Sequence, residues 1–166
     1  GMASVVGSRI GWKDKETTVA WPGRSSDRIN WNGVDLILSA AHNSESLLHD
    51  LGRLGQERHV LVVGMTQKQD LSETTEPLLL SDCRIQTVVT EVHGGRTPSV
   101  PAGQLSKILS SHSEVAPMII EEPIEAVDSA SRLASLEDCI VCITGSVYLV
   151  GRVVGELASR EGGDLW

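Results

Sequence analysis

The stretch Val34–Gly64, VDLILSAAHNSESLLHDLGRLGQERHVLVVG, decides the fold class. It opens on Val34–Leu38, a short and mostly apolar run with the character of a strand covered on both faces. Asn43 then offers a side-chain cap for a helix over Ser44–Leu54, with Leu47, Leu48, Leu51 and Leu54 on one stripe and Gly55 ending it. Val60–Val63 is a second apolar run, closed by Gly64. A buried strand, a helix and a second buried strand form a parallel unit, because parallel strands need a crossover between them.

The same pattern continues downstream. A helix around Leu71–Leu80 must accommodate Pro77, which predicts a break or a late start. Ile85–Val92 reads as a strand, His93–Val100 as a loop rich in Gly and Pro, and Pro101 as the first turn of a helix reaching about His112. Met118–Ile120 is a further strand. Pro123 opens a helix with Ile124, Val127 and Ala134 facing inward. Ile140–Thr144 is the last strand, and Gly145-Ser146 turns into a helix with Val150, Val153, Val154 and Leu157 at helical spacing. Upstream, Thr17–Trp21 alternates weakly, and Pro22-Gly23 and Asn32-Gly33 are turn signals, so the hairpin-like stretch before Val34 adds an antiparallel strand. The expected architecture is α/β: three layers, a Rossmann-like and mostly parallel sheet of about six strands, one of them antiparallel, with helices on both faces. Residues 1–16 read as a polar lead-in in which Gly1 is a tag remnant, 17–161 as the domain, and 162–166 as a tail.

Composition narrows the function. The 166 residues carry 14 Lys and Arg against 22 Asp and Glu, a net charge of −8, which disfavours nucleic acid and anionic membranes as partners. There is no Phe, one Tyr and four Trp, too few aromatics for a base-stacking platform. The longest uncharged run, Cys139–Gly151, has 13 residues, short of the roughly 18 that suggest a membrane span. The first residues lack the pattern of a signal peptide. Three Cys without framework spacing point to reduced thiols and a cytoplasmic setting.

In open α/β sheets, ligands bind beyond the carboxyl ends of the strands. The segments expected there are Ser39–Asn43, Gly64–Asp70, His93–Arg96 and Thr144–Ser146. His42 precedes a helix N-terminus, where free N–H groups favour anions; the alternative is a loop histidine bonded to backbone. Thr144-Gly145-Ser146 lets an anion approach backbone N–H groups, or is simply a tight turn that needs small residues. Lys68 and Arg96 are loop cations. Cys139 and Cys142 form C-x-x-C within a strand, where residues three apart face opposite ways, so packing is expected of both rather than redox or zinc chemistry. The histidines show no metal-ligand spacing, and no metal site is expected. Neither a G-x-S-x-G elbow nor a G-x-x-x-x-G-K-[ST] phosphate loop is present.

Four segments carry a resemblance: Trp21-Pro22-Gly23-Arg24; Ala40-Ala41-His42-Asn43 after a strand; Val62-Val63-Gly64-Met65 with Lys68 and Asp70 beyond; and Thr144-Gly145-Ser146-Val147-Tyr148-Leu149-Val150-Gly151. In this order they resemble the W-P-G-R, D-G-A-H-N, G-x-x-x-D-K-D and T-G-S-[LV]-Y-L-[VI]-G patterns of the C-terminal domain of folylpolyglutamate synthase, in the Mur ligase superfamily. The resemblance implies ATP-dependent addition of glutamate to a folate through an acyl phosphate. It further implies that ATP and Mg2+ are held largely by a central P-loop domain, with the C-terminal domain closing over the cleft. On this reading the chain is the lid domain without its P-loop partner and is inactive alone.

The resemblance implies site residues by position. Arg24, Ser39, His42, Asn43 and Lys68 lie on the nucleotide and phosphate side, and His42, Thr144, Gly145 and Ser146 on the glutamate side. There are two departures. Ser39 stands where the pattern has Asp, and Gln67-Lys68-Gln69-Asp70 displaces the Lys by one position and replaces one Asp with Gln. These leave two alternatives open: a non-catalytic binding module that kept the fold, and a superfamily ligase with a different acceptor. An uncovered interdomain surface also predicts a weak homodimer.

Overall fold

The computed structural model describes residues 28–80, 82–111 and 115–160. The expectations for Thr17–Trp21, Pro22-Gly23, Arg24 and His112 lie outside the described residues. In chain order the elements are β1 (Arg28–Trp31), β2 (Val34–Leu38), α1 (Ser44–Leu54), β3 (His59–Val63), α2 (Leu71–Thr75), a 3-10 turn (Glu76–Leu79), β4 (Arg84–Val89), α3 (Ala102–Ser110), β5 (Met118–Ile119), α4 (Pro123–Glu137), β6 (Ile140–Thr144) and α5 (Val147–Arg160).

The strands form one sheet in the order β1-β2-β6-β3-β4-β5. Among the strand pairs of the described residues, only β1–β2 is antiparallel; it turns at Asn32-Gly33, both at positive φ as a tight hairpin requires. The other pairs are parallel. Alternation along each buried strand divides the core in two. Leu36, Leu38, Val60, Val62, Val141 and Ile143 pack under α4 and α5. Ile37, Leu61, Val63, Val89 and Cys142 pack under α1, α2 and α3. The three-layer α/β arrangement expected from the sequence is therefore the observed one. Cys139 joins the first core and Cys142 the second, so the sheet separates the two thiols; Cys139 is half-buried rather than enclosed.

Local chemistry explains the boundaries. The Asn43 side chain accepts the Ser46 N–H at 2.9 Å, and the Ser46 hydroxyl reaches back to the start of α1, a reciprocal cap. Pro77 removes a donor and converts the end of α2 into the 3-10 turn, the break its position implies. Two expectations need correction. Leu48 is 55% exposed, because the buried edge of α1 runs through Leu47, Leu51 and Leu54 and leaves the neighbouring position outside. β4 ends at Val89 rather than Val92, because its neighbours run out: β3 ends at Val63 and β5 at Ile119, and past them only single bonds remain, Thr90 N–H to Val63 and Glu91 N–H to Glu121.

Candidate functional site

The site follows from where the helices leave the sheet. β6 lies between β2 and β3. The helices after β2 and β3 cover one face, whereas the helix after β6 covers the other. Connections that part to opposite faces open a crevice at the carboxyl ends of neighbouring strands. The corresponding place here is where Ser39–Asn43, Gly64–Lys68 and Thr144–Ser146 leave the sheet.

Main-chain bonds hold these segments together. Ser39 N–H donates to Ile143 at 2.8 Å, Gly145 N–H to Ala41 at 3.0 Å, and Gly64 N–H to Thr144 at 3.4 Å. Gly145 has φ +101°, and a Cβ there would lie 2.6 Å from the Gly64 carbonyl oxygen, so the three loops meet too closely for any larger residue. The loop after β3 is fastened to the loop after β4 by Gln67 N–H to Pro98 (2.9 Å) and Val100 N–H to Met65 (2.8 Å). Gly95 brings that second loop against the Tyr148 ring and Thr66: an added Cβ would lie 3.3 Å and 3.4 Å from their side-chain atoms.

His42 and Ser146 thus belong to one edge of the molecule. His42 is exposed, with its ring Nδ1 3.0 Å from the Ala40 carbonyl oxygen. Asn43 is exposed too, and its side-chain oxygen is occupied in capping α1. Lys68 is half-buried in the β3 loop, and His93 and Arg96 are exposed in the β4 loop. Ser146 starts α5: its carbonyl accepts the Val150 N–H and its hydroxyl accepts the Tyr148 N–H, both at 3.2 Å.

Thr144 and Ser39 lie beneath the surface, each 1% exposed. The Thr144 hydroxyl donates to Ser39 Oγ at 3.2 Å, Ala41 N–H donates to the same oxygen at 3.2 Å, and Ser39 in turn donates to Asp50 Oδ2 at 2.7 Å. Asp50 carried no local signal in the sequence. It is the seventh residue of α1, eleven positions from Ser39, and only the packing of α1 against β2 brings the two together.

Chemically, this edge offers an exposed imidazole and a half-buried ammonium, groups suited to anionic oxygen, beside the start of α5, where the Tyr148 N–H is already taken by the Ser146 hydroxyl. Among the described residues, no group of three His, Cys, Asp or Glu could hold a metal ion. A groove of about 570 Å³ lies at the opposite edge of the sheet, lined by Arg28, Asp35, Glu57, Arg58, Asp138 and Cys139 among others. Its two cations are already matched, Arg28 with Glu57 at 2.7 Å and Arg58 with Glu137 at 3.0 Å, which leaves little for an anionic ligand. No described helix is long and apolar enough to cross a membrane.

No protein-family model matches the chain, and no curated protein matches it in sequence. Solved structures do match. The folylpolyglutamate synthase of Thermotoga maritima aligns with a TM-score of 0.69 at 22% identity, over 86% of this chain and 32% of that one. Escherichia coli FolC in complex with ADP gives 0.67 at 21%, over 88% and 34%. The bifunctional folylpolyglutamate synthase/dihydrofolate synthase of Yersinia pestis, complexed with AMPPNP and a Mn ion, gives 0.63 at 24%, over 84% and 32%. The chain thus spans about a third of the length of these structures, and the likeness is one of fold: its structural neighbours are folylpolyglutamate synthases, and it has the architecture of one part of such an enzyme.

Proposed function

We propose that the chain is the C-terminal lid domain of a folylpolyglutamate synthase-like ligase, which adds glutamate to a folate with ATP through an acyl phosphate. The observation that carries this reading is the meeting of Ser39–Asn43, Gly64–Lys68 and Thr144–Ser146 at one sheet edge, in a fold shared with such enzymes. The sequence has no loop of the kind that grips a triphosphate, and the lid reading assigns that task to a P-loop domain. His42, Lys68 and, by resemblance, Arg24 and Asn43 face the nucleotide phosphates from the lid side. His42 faces the incoming glutamate, and the Thr144-Gly145-Ser146 turn shapes that side of the site, because burial makes Thr144, Ser146 and Ser39 supports rather than contacts. The cationic and N–H donor set fits phosphate and carboxylate oxygens. It does not fit a cation, and the reading assigns the Mg2+ ligands to the P-loop domain.

The chemistry is consistent with a lid. Both substrates and the transferred phosphoryl group are anionic, and fixed donors brought over them by domain closure stabilise developing charge while excluding water. A second reading, a binding module that lost the chemistry, is favoured by Ser39 in place of the pattern's Asp.

The test is ATP-dependent addition of glutamate to a folate, measured on the 166-residue chain and on the complete gene product. The chain alone should give no turnover. The complete product should turn over, and His42→Ala should lower kcat/KM. Turnover by the chain alone overturns the lid reading, and a folded, P-loop-bearing complete product without turnover supports the module.

A further inference from the structure

Ser39 is the hub of a buried hydrogen-bond chain, and the direction of that chain is fixed from one end. A carboxylate accepts and cannot donate, so the 2.7 Å contact to Asp50 Oδ2 obliges the Ser39 hydroxyl to point at Asp50. Both Ser39 lone pairs then face the Ala41 N–H and the Thr144 hydroxyl, each 3.2 Å away. The chain runs Thr144 to Ser39 to Asp50, and it ties the loop after β2, the turn after β6 and helix α1 into one unit directly beneath His42 and Gly145. The other Asp50 oxygen lies 3.0 Å from the ring Nδ1 of His49, whose side chain is 69% exposed, whereas that of Asp50 is 21% exposed. The carboxylate therefore has one oxygen on the buried Ser39 hydroxyl and the other beside an exposed imidazole.

We infer that Asp50 is the positioning residue of the strand-end crevice, supplying from helix α1 the carboxylate that position 39 lacks. Ser39 and Asp50 together set one negative charge at the end of this buried hydrogen-bond chain. The departure at position 39 is then a relocation of the carboxylate rather than its loss. The ligand-facing role of the crevice rests on the lid reading; the Ser39–Asp50 linkage does not, and it is measurable without any ligand.

The experiment is a double-mutant cycle on the 166-residue chain with Ser39→Ala, Asp50→Asn and the pair, read by urea denaturation, followed by the exchange of positions Ser39→Asp with Asp50→Asn. Hydrogen bonds to a charged group are worth enough that Ser39→Ala should raise the unfolding equilibrium constant about 10- to 100-fold. The pair should be no worse than Ser39→Ala alone within about twofold, because Asp50→Asn weakens, by removing the charge from its acceptor, the same link that Ser39→Ala abolishes. Ser39→Asp alone sets two carboxylates side by side and should be the most damaging. Adding Asp50→Asn should recover about tenfold or more of that loss, since an amide at position 50 can donate to the new carboxylate. Amide resonances of Ala41 and Gly145 should shift in Asp50→Asn and return toward their original positions in the exchanged pair, a rescue that general destabilisation does not produce.

Additive effects of Ser39→Ala and Asp50→Asn overturn the inference. So does an exchanged pair no better than Ser39→Asp. Should Ser39→Asp fail to fold, the alanine and asparagine cycle decides alone. A strong linkage in a protein whose complete form adds no glutamate would refute the ligase reading and leave this one standing; additivity in an active ligase would do the reverse.

Discussion

Replacing Gly145 by Ala tests the geometry of the crevice most severely. The residue has φ +101°, and the new Cβ would lie 2.6 Å from the Gly64 carbonyl oxygen and 3.1 Å from both Met65 Cγ and Val63 Cγ2. The nearest obstacle is backbone, which cannot rotate aside, and ordinary contact begins near 3.4 Å, so a displacement of 3.4 − 2.6 = 0.8 Å is required. A non-glycine residue in a sparsely allowed backbone region costs about 1–3 kcal/mol. Forcing an extra carbon into a packed site costs a further ~1–3 kcal/mol. The sum, roughly 2–6 kcal/mol, is a large fraction of the ~5–15 kcal/mol that holds a typical domain. Urea denaturation with a constant slope would measure it. The control is Gly155→Ala in α5, where a Cβ meets nothing within 4 Å; it should stabilise the chain by about 0.5–1 kcal/mol because alanine favours helix over glycine. Gly145→Ala within about 1 kcal/mol of the unmodified chain would refute the close meeting of the three loops.

Four further predictions concern the scaffold. Leu47→Ala should cost about 2–5 kcal/mol and Leu48→Ala less than about 0.5, by the same denaturation assay; equal costs would contradict the burial of one and the 55% exposure of the other. Trp31→Phe removes the 2.7 Å bond from the indole to Asp128 and weakens the stacking of Arg160 on the ring at 4.2 Å, and should cost about 1–3 kcal/mol. Burial holds the His59 imidazole below its usual pKa of 6.5, with the Glu57 carbonyl bond opposing and Arg84 assisting. Below about pH 6.5 the unfolded chain therefore takes a proton that the native state resists, and stability falls with pH at up to ~1.4 kcal/mol per unit; His59→Asn should remove that part of the slope, and an unchanged profile would contradict the assignment. Burial, with a smaller contribution from Asp50, pushes the Cys142 thiol up to about 12, so iodoacetamide at pH 8 should spare it in the native protein and label it on unfolding; native labelling as fast as at Cys83 would refute its enclosure.

The central strands were legible because their runs are mostly apolar with both faces covered, and α1 because Asn43 and Gly55 mark its ends. The clustering of loops at one edge followed from topology alone. Other features depend on tertiary contact. Leu48 fits the helical period yet lies outside the buried edge, since period alone does not say how wide the covered stripe is. Ser39 reads as a surface replacement for a carboxylate and is instead 1% exposed, with every hydrogen-bonding direction occupied. Asp50 carries no signal in the sequence until the fold brings α1 beside the end of β2.

Hydrogen–deuterium exchange on residues 1–166, alone and within the complete gene product, tests the lid reading most directly. Joining the rest of the protein should slow exchange at Ala40–Asn43, Met65–Lys68, Gly94–Arg96 and Gly145–Tyr148, and leave the opposite edge around Arg58, Asp138 and Cys139 unchanged. Protection at the opposite edge instead, or a complete gene product that contains no P-loop domain, would contradict it.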